Sequence, residues 1–351
     1  YQFCHPNNDV NCSQSTNDAY PTAIRLALYT KITQLIGDMD YLRAALADKA
    51  EEFRDIIKMG RTQLQDAVPM TLGMEFAAYA ETLSEDMMRM GEARNLIAEI
   101  NMGATAIGTG INSPVGYAEL VTRRLREVSG VPVSMATNMV EATWDTGAYV
   151  QLSGVLKRCA TKISKICNDL RLLSSGPRCG LNEINLPPRQ PGSSIMPGKV
   201  NPVMPEVMNQ ICFDIIGKDV TVTLAAEAGQ LELNVMEPVI AYALFAGIHR
   251  LGAGCRSLVD LCIRDITANG ERCKDMVRHS IGIVTALNPR LGYETSASIA
   301  REALTSGGSV YDIVLARGLM TKEELEDLLQ PEHMMAPTSR MGRQEKENPQ
   351  K

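Results

Sequence analysis

The chain is short of aromatic side chains: Phe, Trp and Tyr make up 5% of it, with a single Trp among 351 residues. A core without large rings has to be filled by aliphatic side chains and by the 19 methionines, a composition that suits helices packed on helices. Histidine is scarce as well, and His5, His249, His279 and His333 are too dispersed to build a zinc site. No CxxC pair occurs. The nine cysteines are odd in number and scattered, most of them among apolar residues of helical segments, which fits reduced thiols used as small hydrophobes and a cytoplasmic setting. Basic blocks are missing apart from a few residues in the tail. With 35 Lys and Arg against 41 Asp and Glu the formal charge is -6, which argues against nucleic acid as a partner. The longest apolar run, near Val239 to Ile248, is about half the length a membrane span requires, so no transmembrane helix is expected. The opening YQFCHPNNDV carries neither a secretory signal nor an initiator methionine, and reads as a beginning inside a longer protein.

What is present is helical periodicity. Apolar residues recur in steps of three and four from Pro21 to about Ile56, through Ile24, Leu28, Ile32, Leu35, Met39, Leu42, Leu46 and Phe53. Similar patterns run from Pro69 to Ile97, from about Ala142 to Leu173, from Pro202 onward, and from Pro238 to about Ile266. No β-alternation persists. The expectation is an all-α fold, a long antiparallel helix bundle whose apolar positions lie on more than one side of each helix, so that subunits must associate to bury them. After Asn269 the patterns shorten, with one helix after Ser309 and another opened by Thr321 and Glu324 in capping-box spacing. The sequence thus divides into a central bundle domain over 1–268, with 1–15 as the remnant of a preceding domain, a small C-terminal helical domain over 269–338, and a charged tail over 339–351 expected to be disordered.

The chemistry is expected in the connecting segments. Gly192 to Gln210, GSSIMPGKVNPVMPEVMNQ, places two hydroxyls (Ser193, Ser194), a Pro-Gly turn, an ammonium (Lys199) and an amide (Asn201) ahead of a helix. Asn201 followed by Pro202 makes a good helix start, and the helix N-terminus beside Lys199 suits a carboxylate or phosphate. The glycines and prolines before it suit a mobile loop able to close over a bound anion. SQSTNDAYPT, around Ser15, Thr16, Asn17 and Asp18, could be ordinary helix capping. GRTQLQDAVPMTLG (60–73) reads as a polar connection between helices that is unusually dense in functional groups. MGATAIGTGINSPVGY (102–117) is glycine-rich, but it lacks the GK[ST] ending of a P-loop and follows no strand.

Taken together these strings resemble the signatures of the aspartase/fumarase superfamily, over nearly the whole chain from about Tyr1 to Pro337. The resemblance implies a helical lyase that forms fumarate by eliminating a group next to a carboxylate. It carries the general base to Ser193 and the holding of one substrate carboxylate to Lys199 and Asn201. Ser15, Thr16 and Ser194 fall where hydroxyls stabilise the carboxylate next to the acidic C–H, and Asn17, Thr62 and Gln63 where the substrate is held, Asn17 facing the amino group. Gln63 departs from fumarases, which carry a histidine there partnered by a glutamate aligned with Glu206; an amide cannot shuttle a proton, but it can hydrogen-bond an amino acid. NEINLP and AAEAGQLELNVMEPVI are similar to the aspartase branch, which implies elimination of ammonia from L-aspartate. The readings left beside it are hydration of fumarate to malate, or a non-catalytic fragment on the same fold. The resemblance also implies no cofactor, with a divalent cation as activator left open, and a homotetramer whose active sites draw on three subunits. A first domain that precedes Tyr1 in the family holds one more substrate-binding segment. Neither membrane nor nucleic acid is implied as a partner.

Overall fold

A computed structural model describes residues 1–192 and 195–329 of the protein. Ser193, Ser194 and the tail expected over 339–351 lie outside the described residues. A π-helical turn, Pro6–Val10, comes first, its start capped by the His5 ring, which accepts from the backbone N–H groups of Asn7 and Asn8. Then follow α1 (Thr16–Glu52), β1 (Ile57–Thr62), β2 (Gln65–Thr71), α2 (Leu72–Ile97), β3 (Glu99–Ile100), α3 (Tyr117–Ser129), β4 (Ser134–Met135), α4 (Met139–Trp144) and α5 (Gly147–Leu173). The order continues with β5 (Ile184–Asn185), α6 (Val203–Glu227), α7 (Glu237–Leu261), β6 (Thr267–Ala268), α8 (Gly270–His279), α9 (Val284–Leu291), α10 (Tyr293–Ser306), α11 (Val310–Ala316) and α12 (Lys322–Leu328). The strands pair only two by two, so the fold is all-α in character. Among the described residues no helix is long and apolar enough to cross a membrane.

The periodic residues are the buried ones: Ile24, Leu28, Ile32, Leu35, Met39, Leu42 and Leu46 form the inner face of α1. That helix nevertheless starts at Thr16, ahead of Pro21. Proline has no N–H to offer the carbonyl one turn back, that of Asn17. The Asn101 side-chain amide donates to that carbonyl instead, at 3.0 Å, and the helix runs through. The pattern expected to run unbroken from 142 to 173 is interrupted at Asp145, whose carboxylate accepts from the Gly147 N–H at 3.0 Å and starts α5 afresh. The capping box at Thr321 and Glu324 is present.

The segment between α1 and α2 also departs from expectation. Residues 60–73, read as a connection without strands, form an antiparallel hairpin of β1 and β2 running straight into α2. Its turn residues, Gln63 and Leu64, both adopt positive φ (54° and 63°), the geometry of a type I′ turn, without the Asn-Gly that usually signals one.

The described residues form two compact units: Tyr1–Leu46, Tyr79–Leu172 and Leu186–Asp265 in the first, Ala47–Ala78, Leu173–Asn185 and the described residues from Ile266 onward in the second. The second unit thus gathers two earlier stretches to the C-terminal helices. In the first unit α6 packs along α7, burying Met208, Cys212, Ile215 and Val222 on one helix and Leu244, Ile248, Leu251 and Cys255 on the other. In the second, Met59 joins Val277, Ile283, Leu287, Ile299, Val310, Val314 and Leu325 in one apolar cluster. All nine cysteines are free, and six of them are buried; burial pushes the Cys212 thiol up to about 12, against a backbone hydrogen bond with Ser164 that pulls it down.

Candidate active site

The segment before α1 is held by a buried carboxylate. Asp18 accepts from the Ser15 N–H at 2.8 Å and from the backbone N–H groups of Gly103 (3.2 Å) and Thr105 (2.9 Å). The Asn17 amide donates to the Ala106 carbonyl at 2.7 Å, and Ser15 Oγ accepts from the Asn17 N–H at 3.1 Å. Two polar segments some 90 positions apart are thereby tied into one surface that carries Ser15, Thr16 and Asn17. The glycine-rich stretch serves this packing: a Cβ on Gly108 would lie 2.3 Å from the Val140 Cα, a contact only glycine permits. Thr16 is exposed, with Ser15 and Asn17 half-buried.

Lys199 and Asn201 stand at the foot of the 192–201 loop. Asn201, expected to cap the following helix, does not: Pro202 is the capping residue, without a side-chain bond. The Asn201 amide instead donates to the Gly192 carbonyl at 2.7 Å and so draws the two ends of the loop together. Lys199 is exposed. Just beyond, in the first turn of α6, Glu206 lies 3.9 Å from the guanidinium of Arg171, which also donates to Asn209 at 3.3 Å. Glu206 therefore has a cation to face. Among the described residues no hydrogen bond or ion pair joins the Ser15–Asn17 surface to Lys199 or Asn201.

Thr62 and Gln63 sit at the exposed tip of the hairpin in the second unit. Of these two only Gln63, together with its neighbour Leu64, lies in the left-handed region, at a cost of about 1–2 kcal/mol per residue, strain of the kind that collects where side chains must be aimed. Arg61, the residue before Thr62, points inward to Glu183, a partnership the sequence does not signal. A cleft of about 860 Å³ in the same unit, lined by Ile57, Lys274, Arg278, Ser309, Tyr311 and Glu326 among others, contains none of the residues assigned to substrate. Among the described residues no group of three or more His, Cys, Asp or Glu is placed to hold a metal ion.

Another charged group emerges in the first unit, inside the NVMEPV string. Glu237 opens α7, and burial pushes its carboxyl up to about 7, with Arg25 pulling the other way. Arg25 is itself buried, its guanidinium 5.0 Å over the Tyr149 ring. An acid whose folded value is raised keeps a proton that the unfolded chain gives up. Its contribution to stability therefore falls as pH rises from the ordinary carboxylate range through about 7. Glu237→Gln is expected to melt above the wild type at about pH 8, with the gap closing toward about pH 5. Thermal denaturation at the two pH values checks this, and an equal gap at both contradicts it.

Comparison with known proteins bears on the whole chain. The family described as Lyase matches residues 2–217, and that described as Fumarase C C-terminus matches residues 283–336. The chain is 61% identical over 337 residues to the aspartate ammonia-lyase of Helicobacter pylori, covering 96% of this chain and 72% of that one. It superposes with a TM-score of 0.93 on the fumarate lyase:delta crystallin of Brucella melitensis bound to cobalt, at 52% identity over 96% of this chain and 73% of the other. On a class II fumarase from Schistosoma mansoni the TM-score is 0.87, at 36% identity over 94% and 72%.

Proposed function

The chain belongs to the lyase family that its match over residues 2–217 identifies, and from that premise we propose that it eliminates ammonia from L-aspartate, reversibly and with anti geometry, to give fumarate. The observation that carries the choice of substrate is identity: 61% with an aspartate ammonia-lyase against 36% with a fumarase, each across nearly the whole chain. Gln63 supports it, because its amide suits an amino group where a hydratase keeps an imidazole.

The chemical problem is a C–H beside a carboxylate, far too weak an acid to ionise unaided. Ser193, deprotonated under the positive charge of Lys199, takes that proton; the bonding pair moves into the side-chain carboxylate and makes a dianionic aci-carboxylate. The hydroxyls of Ser15, Thr16 and Ser194 donate to its oxygens. Each such donor is typically worth about 10²-fold or more in rate, because the site offers it already aimed at the charge that develops. The dianion then collapses, the C–N pair leaves with nitrogen, and fumarate and ammonia separate. Lys199 and Asn201 hold the other carboxylate throughout. Asn17 faces the departing amino group, while Thr62 and Gln63 hold the substrate. This scheme uses no cofactor and leaves room for a divalent activator.

The same proposal includes a homotetramer with active sites shared between subunits, working in the cytoplasm. What supports association is α6: while one side is buried, Phe213, Gly217, Val220 and Leu224 line an exposed stripe at coiled-coil spacing, three of them large and apolar. Nine unpaired thiols suit a reducing compartment. The test is a fumarate-absorbance assay of the full-length protein with L-aspartate and L-malate in parallel, with sedimentation of the same preparation. Turnover of malate alone, or a monomer that turns over aspartate, overturns the corresponding part.

A further inference from the structure

We propose that Glu183 is a positioning residue for this reaction: its buried carboxylate, gripping Arg61 and Lys58, fixes the hairpin whose tip presents Thr62 and Gln63 to the substrate. The inference rests on the reading that this tip contacts substrate, and goes beyond it by naming what aims the tip.

Glu183 is fully buried, yet it belongs to a short polar stretch between α5 and β5. Its Oε1 accepts from Arg61 at 2.5 Å, and its Oε2 lies 3.0 Å from the Lys58 ammonium. Lys58, itself buried, also reaches Glu75 at the start of α2, at 2.5 Å. Two cations from β1 are therefore balanced by two carboxylates from outside the hairpin. The Glu183 backbone is anchored in turn, its carbonyl accepting from the Asn269 N–H at 2.8 Å. The second strand has its own tether, Ser280 Oγ donating to Asp66 at 2.7 Å.

The register of the ladder slips between Met59 and Arg61, and at Gly60, between them, a Cβ would lie 2.8 Å from the Val68 carbonyl oxygen. Such a bulge re-aims the side chains that follow it. Here it turns Arg61 inward to Glu183 and leaves Thr62 and Gln63 outward at a turn whose two residues, Gln63 and a 70% exposed Leu64, have positive φ. Thr62, Gln63, Leu64 and Gln65, the residues of the tip, are all exposed. The direction of the tip is inherited from the root. Taking a carboxylate to full burial is expensive, and well-packed apolar residues commonly stabilise a fold as well or better, so a charge cluster at this place is better explained by the geometry it enforces.

A double-mutant cycle on kcat/KM for L-aspartate tests this, combining Glu183→Gln with Thr62→Val. Each single change is expected to lower kcat/KM by about 10–100-fold, and the double to fall little below the worse single, because a tip no longer aimed has little left to lose. Arg61→Lys, which keeps the charge but not the forked grip, is expected to give a smaller loss that is likewise absorbed by Thr62→Val. It serves as the second route if Glu183→Gln does not fold. Losses that multiply in full, in parallel with lowered melting temperatures, would mean a structural role alone and overturn the proposal. A silent Thr62→Val overturns it as well, and with wild-type turnover of aspartate intact it leaves the reading of the reaction standing.

Discussion

Ser193→Ala is expected to lower kcat on L-aspartate by about 10³-fold, the scale on which a positioned base acts, while leaving the assembled protein and its melting temperature unchanged. The serine falls in the string GSSIMPGKVNP, at the position to which the superfamily resemblance carries the base. Physical chemistry makes the same demand from the other side. Proton removal from carbon needs an oxyanion that is more basic than water and shielded from it, and Lys199, six residues on, supplies the positive charge that lets a serine lose its own proton. The substitution removes a single oxygen atom, among the smallest changes a side chain can undergo. Steady-state fumarate formation and sedimentation of the same sample give the two readouts. Near-normal turnover would remove Ser193 from the chemistry and shift attention to Ser194. An equal loss of assembly would make the residue structural.

How much of this was legible in the residues depends on the range of the interaction that decides each feature. The inner face of α1 could be read directly, because steps of three and four place Leu28, Ile32, Leu35 and Met39 under one another within a few turns. Its first residue could not. Pro21 argues for a later start, and the repair comes from Asn101, 84 positions beyond the Asn17 carbonyl it serves. The hairpin stayed hidden for two local reasons: its turn uses Gln-Leu where Asn-Gly is usual, and β1 buries Lys58, Met59 and Gly60 in a row, so no alternation shows. The partnership of Arg61 with Glu183 spans 122 positions, and nothing in either neighbourhood announces it. Glu237 was visible only as one letter of a family-like string, since its raised carboxyl comes from burial, a tertiary property. The site residues followed from resemblance, whereas their supports (Asp18, Asn101 and Glu183) emerged from the fold. Ligands that touch a substrate sit in compact strings. The groups that aim them are drawn from anywhere in the chain.

Asn201 shows how far such support extends and leads to the second large effect, that of Gly192→Ala. The amide that joins Asn201 to the Gly192 carbonyl at 2.7 Å brings the ends of the loop so close that a Cβ on residue 192 would lie 1.8 Å from the Lys199 carbonyl oxygen and 2.5 Å from its carbonyl carbon. Both obstacles are backbone, so no rotamer relieves them and the two ends must part. Lys199, the cation assigned to a substrate carboxylate, is displaced by the same movement. A misplacement of about 1 Å in a catalytic group can cost about 10²-fold, and a loss of that size in kcat/KM is expected. The fold should hardly register it, because α6 is anchored beyond the loop by the buried Pro205, Met208 and Asn209. The control is Gly37→Ala in α1, where a Cβ meets nothing within 4 Å and alanine is the better helix former, so full activity and a slightly higher melting temperature are expected. Wild-type kcat/KM in Gly192→Ala would show that the loop works with its ends apart, and that the bond between Asn201 and Gly192 is incidental to catalysis.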